Sequence, residues 1–209
     1  MRAVALALFV IAAPAVAQSG PQVSLNRGES VEIEVRTDFN GDGAQDLAYI
    51  ASSEDNRELR VVVSYADEFD FGEHPPQVLA LDSFPLGDAL VSAERGVLSV
   101  IDSSAGTTSI QSTHRFRWDK KLGAMRLIGL DATLYSRTFA HDGQVASWNL
   151  LTGEFTSHRL KLRNDGSDIA YDEADRIRRR KRSTPLRLEQ SPSGDELLGW
   201  PLSEPGYRK

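Results

Sequence analysis

The sequence predicts a mainly β protein: an antiparallel meander, small sandwich or partial propeller-like sheet, with one or two short helices. Two observations carry this. Apolar and polar side chains alternate with a period of two over much of residues 31–162, and short polar turns separate the alternating runs. The first run sets Val31, Ile33 and Val35 against Glu32, Glu34 and Arg36. Leu47 to Ala51 follows as an apolar strand. Leu59, Val61, Val63 and Tyr65 alternate after the turn Ser53-Glu54-Asp55-Asn56. Three strands joined by short connections predict an antiparallel meander.

From Phe69 to Gly96 the chain is rich in proline, glycine and acid. Gln77 to Leu81 reads there as a short strand, and Asp88 to Arg95 as a short helix stopped by Gly96. Strand character returns at Val97 to Ile101 and in His114, Phe116 and Trp118, which alternate with Arg115 and Arg117. Asp119-Lys120-Lys121-Leu122-Gly123 predicts a hairpin turn into Met125 to Leu130 and Thr133 to Phe139. Val145 to Leu150 and Phe155 to Leu162 then flank the turn Leu151-Thr152-Gly153-Glu154. These elements make residues 18–163 a mainly β domain and leave residues 164–209 as a charged, partly ordered C-terminal segment. In that segment five acids between Asn164 and Asp175 precede seven bases between Arg176 and Arg187. Acid at the front and base at the back complement a helix dipole, which predicts a short helix over Asp172 to Arg182. Leu197, Leu198 and Trp200 are candidates to dock on the core.

Residues 1–17 read as a secretory signal peptide: Arg2 supplies the charge, Ala3 to Ala13 the apolar run, and Ala15-Val16-Ala17 the cleavage site. The mature chain then begins near Gln18 in the periplasm or outside the cell. The apolar run is shorter than the roughly 20 residues a membrane span needs. There is no cysteine, which excludes disulfides, thiolate metal sites and thiol nucleophiles. Loss of Arg2 takes the formal charge from −6 to −7, which argues against nucleic acid as a general partner.

The most specific segment is Asp38-Phe39-Asn40-Gly41-Asp42-Gly43-Ala44-Gln45-Asp46-Leu47. It places Asp38, Asn40, Asp42 and Asp46 at loop positions 1, 3, 5 and 9, the Ala44 carbonyl at 7 and a glycine at 6. Hard oxygen donors in that pattern suit Ca²⁺, and the glycine permits the sharp turn. Position 12 is Tyr49 rather than glutamate and both flanks are strand-like, so the loop is not an EF-hand. An Asx-rich hairpin turn is the plain alternative. At these residues the chain resembles the FG-GAP type of calcium loop, found between two strands in integrin-alpha propeller blades and in many exported bacterial proteins. The motif covers roughly Val35 to Ala51. Gly96-Val97-Leu98, Arg115-Phe116-Arg117-Trp118, Leu127-Ile128-Gly129-Leu130-Asp131 and Asn149-Leu150-Leu151-Thr152-Gly153 resemble segments of small exported bacterial proteins with one such loop. The resemblance implies a calcium site but no activity, and a single loop does not imply a full propeller.

Other candidates are weaker. His114 reads as a core or rim histidine, while His74, His141 and His158 show no metal-ligand spacing. Ser103-Ser104-Ala105-Gly106 lacks the strand-turn-helix context of a nucleophile elbow. Asp67, Glu68, Asp70 and Glu73 near His74 read as solvated charge, and would be the acids of an alternative reading as an exported hydrolase of carbohydrate or phosphate. The basic run Arg176 to Arg182 reads as a solvated helix end, with an adaptor for an anionic surface or polysaccharide as the alternative. The leading expectation is an exported calcium-binding structural or interaction protein, without catalytic residues.

Overall fold

The computed structural model describes residues 20–66, 70–163 and 170–199, and within them the fold is mainly β, with two large antiparallel sheets and one short helix. The signal peptide, Glu68 and Trp200 lie outside the described residues. The first sheet has the order β1-β2-β3-β6, formed by β1 Ser30–Thr37, β2 Asp46–Ser52, β3 Arg57–Val62 and β6 Gln77–Ala80. Between β3 and β6 the chain makes a two-stranded ribbon of β4 Ser64–Ala66 and β5 Phe71–Glu73. The predicted third strand is thus divided, and Tyr65 belongs to the ribbon.

The second sheet is a seven-stranded meander in sequence order, β7 Leu90–Glu94, β8 Val97–Ser103, β9 Thr108–Asp119, β10 Ala124–Ser136, β11 Gly143–Asn149, β12 Glu154–Leu162 and β13 Tyr171–Arg180. It does not close into a barrel. Met125 to Leu130 and the start of the next predicted strand fuse into β10, which absorbs a bulge between Leu127 and Gly129. The core lies where the sheets meet, joining Ile50, Leu59 and Val61 to Leu98, Phe116, Leu127 and Trp148. On the other face of β2, Leu47, Tyr49 and Ala51 are covered by the segment that carries Val23, so β2 is apolar on both sides.

Two helix expectations are corrected. Residues 88–95 contain β7, not a helix: Val91 and Ala93 pack on the core while Leu90, Ser92 and Glu94 face out. Arg95 and Gly96 both take positive φ, 52° and 73°, the two-residue turn whose twist matches a hairpin, so Gly96 turns a strand rather than ending a helix. Residues 172–180 belong to β13 along β12, and 181–182 follow it without helix. Without β13 the outer edge of β12 would be left unpaired, and that ladder outweighs the modest dipole complement of a short exposed helix. The only α-helix among the described residues is α1, Gly194–Gly199, which buries Leu197 and Leu198. Its Gly194 sits so close to Ser112 and Ile110 of β9 that a Cβ there would lie about 3 Å from each.

Candidate functional site

The Asp38–Asp46 loop joins β1 to β2, and its residues alternate. Asp38, Asn40, Asp42 and Ala44 are half-buried, whereas Gly41, Gly43 and Gln45 are exposed. Gly41 and Gly43 adopt φ of 81° and 87°, a conformation that costs a residue with a Cβ and lets the loop reverse twice in five residues. Phe39 at loop position 2 is buried in the main core and anchors the loop from inside.

Each carboxylate is held by backbone. Asp38 accepts from the amides of Gly41 at 2.6 Å and Gly43 at 2.9 Å. Asp42 accepts from Ala44 at 2.8 Å and from Ala66 of β4 at 2.9 Å. Asn40 accepts from the Asp42 amide and donates to the Ser64 carbonyl at 2.6 Å. Asp46 is fully buried; it accepts from the Phe39 amide at 2.6 Å and from both the amide and the hydroxyl of Ser64 at 2.8 Å. Burial pushes the Asp46 carboxyl above its ordinary range despite these donors, and the nearby negative charge of Asp42 adds a smaller push. The side chain therefore clasps both ends of the loop to β4. Among the described residues no three histidine, aspartate or glutamate side chains gather into a group that could hold a metal ion.

The donor chemistry still suits a hard cation. Two carboxylate oxygens carry about four lone-pair sites, so a backbone hydrogen bond to each oxygen leaves ligating capacity. Asp38 uses one hydrogen bond per oxygen, Asp42 uses one on Oδ1 but two on Oδ2, from Ala66 and from the Asn40 side-chain amide, Asn40 presents its amide oxygen, and Asp46 retains one site on Oδ2.

The remaining candidates are placed as follows. His74 sits between Tyr65, at 5.3 Å between centroids, and Trp118, at 4.9 Å. Asp70 accepts from the Phe71 amide, and its proposed companions Asp67 and Glu68 are outside the described residues. His114 is buried; its Nε2 donates to the Pro192 carbonyl, its Nδ1 has no hydrogen-bond partner, and burial pushes its pKa down. It lines a cleft of about 300 Å³ with Asp102, Ser112 and Glu189, beside the C-terminal segment. Ser104 follows β8 and bridges Pro85 rather than forming a turn, and its hydroxyl accepts from the Ile110 amide. The basic run lies on β13, with Arg178 paired to Glu154 at 2.9 Å and Arg179 over the Phe155 ring at 4.8 Å.

Sequence reasoning missed the buried ionic cluster between the sheets. Arg57, 2% exposed, donates through Nε and Nη2 to both oxygens of Glu32 at 2.7 Å and through Nη1 to Asp102 at 2.9 Å. Burial alone would raise the Glu32 carboxyl, but the hydrogen bonds from Arg57 and the Ala89 amide bring it below the ordinary range, whereas burial dominates at Asp102 and raises it. A second arginine, Arg60, reaches Glu29 at 2.6 Å and Glu58 at 2.7 Å. Comparison with protein-family models, curated proteins and solved structures finds no match to this chain.

Proposed function

We propose that the protein is an exported structural or binding protein whose FG-GAP-like loop at Asp38–Asp46 takes one Ca²⁺. The supporting observation is the alternation that turns Asp38, Asn40, Asp42 and Ala44 inward in a glycine-bent loop, with Asp42 close enough to Asp46 for their charges to oppose each other. A divalent cation would relieve that repulsion, with Asp38, Asn40, Asp42, the Ala44 carbonyl and Asp46 as its donors. Its role is to brace the β1–β2 connection against β4. Export rests on the pattern of residues 1–17.

An ion present at ten times its dissociation constant adds about 1.4 kcal/mol to stability by mass action. Calcium is therefore expected to raise Tm by a few degrees relative to chelator, and Asp42→Ala to abolish the difference. Identical melting curves with and without calcium would remove the metal from this account. Magnesium, which demands a tighter octahedral site, is expected to give the smaller shift.

A further inference from the structure

Bases of two stretches far apart in sequence lie on one face of the seven-stranded sheet. Strand register runs from Arg115 of β9 through Gly129 and Asn149 to Glu154 and Arg180 of β13, so these residues share the face opposite the core. Arg117 lies two residues along β9 from Arg115 and points the same way. It stands directly across from Arg126 of β10, and Arg126 pairs in turn with Arg187 of the C-terminal segment. Three arginines in a cross-strand row repel one another unless something negative lies over them.

Glu189 answers Arg187 at 3.5 Å and Asp119 answers Arg126, while Arg117 has no such partner among the described residues. Arg117, Lys120, Lys121 and Arg126 line an open groove of about 470 Å³ that also contains Leu151 and a single acid, Asp119. Asp119 reaches Arg126 at 3.3 Å and is otherwise engaged by the amides of Lys121 and Leu122. Among the described residues Arg117, Lys120 and Lys121 have no carboxylate partner, and the Nε of Arg126 is buried with no hydrogen-bond partner. On the same face, Arg180 donates to the Thr152 carbonyl and stands across from Glu154. Four bases thus face one acid on a chain whose formal charge is −6.

We propose that this groove binds an acidic polysaccharide, with its carboxylate or sulfate groups against Arg117 and Arg126 and a sugar ring over Leu151. The shape favours a chain over a bilayer: the Arg126 side chain is only 26% exposed, so a flat surface would touch Lys120 and Lys121 and miss it. Bases are disfavoured because the one aromatic of the groove wall, Trp118, is already packed on the core and against the His74 ring at 4.9 Å. The proposal deepens the binding half of the role above and makes no use of the calcium loop.

The test is calorimetric titration of the full mature chain with heparin and with polygalacturonate, at low and at physiological salt. Combined Arg117→Gln and Arg126→Gln is expected to weaken binding about tenfold or more. Lys120→Gln with Lys121→Gln, at an exposed hairpin tip, is expected to weaken it several-fold with Tm unchanged, which keeps the test valid if the arginine pair disturbs the sheet. Arg27→Gln, on the other sheet's side of the molecule, should bind as the parent does. Absence of binding to both polymers, equal loss in Arg27→Gln, or tighter binding to phosphatidylserine vesicles or to single-stranded DNA would each overturn the proposal.

Discussion

Arg57 holds two carboxylates from different sheets, Glu32 of β1 and Asp102 of β8. Removing it strands both acids in a buried setting, which costs about 3–5 kcal/mol. Arg57→Ala is accordingly expected to lower Tm by roughly 6–20 °C in calorimetry. Restoring neutrality with Glu32→Gln and Asp102→Asn in the same chain should recover part of that loss, whereas an additive further loss would show that the cluster's charges do not act together. Nothing in the sequence marks Arg57, because its partners stand 25 and 45 residues away and are brought to it only by the packing of the two sheets. The Asp38–Asp46 loop was legible for the opposite reason. Its geometry is set by residues within a single turn, so spacing alone reports the alternation of half-buried and exposed positions, while whether an ion sits among them is left to the melting experiment.

At the scale of elements, alternation located most of the strands because their outer face is wet and their inner face is packed. It failed where a competing local signal was also present. Asp88 to Arg95 carries an acid at one end and a base before glycine at the other, the marks of a helix, yet the Arg95-Gly96 turn makes it a hairpin arm. Gly96→Ala is expected to cost about 1 kcal/mol or more, since the new Cβ must adopt φ near 73°. Urea unfolding measures this, and an unchanged midpoint would mean that the turn relaxes freely. β13 was hidden by its charges: a strand of acids and arginines has no apolar rhythm, and only the vacant edge of β12 explains why it forms. Such an edge strand is a poor template for further strands, because each copy would bring its own charges to the seam.

For the molecule as a whole, the shared core between the sheets predicts one cooperative unfolding transition, and the titrating groups predict its acid limb. Burial lowers the pKa of His114 from 6.5, and the contact with Pro192 opposes this only in part. The unfolded chain therefore takes up that proton first, and stability falls as pH drops below about 6.5. The hydrogen bond from Arg60, with help from Asn26, holds Glu29 down from 4.5 to about 2. Its contribution is intact above pH 4.5 and is lost as pH falls from there to about 2. Asp46 and Asp102 run the other way. Raised chiefly by burial above 3.8, they are protonated first in the folded state, so they offset part of the acid loss, fully so below about pH 3.8. Melting curves across pH should be flatter near pH 6.5 in His114→Gln and flatter between pH 4.5 and 2 in Glu29→Gln. Profiles that match the parent in both variants would place the acid sensitivity elsewhere.

β2 stands between β1 and β3, and it is covered on both faces and closed at its start by the buried Asp46. Its backbone protons reach solvent only when the ladders to β1 and β3 break beneath both covering layers, so they keep time for the whole molecule, whereas those on the outer edge of β13 answer to local fraying. The loop at Asp38–Asp46 is thus fastened to the slowest-opening strand of the fold, and an ion held there would read out as the lifetime of the closed state rather than as a local ornament.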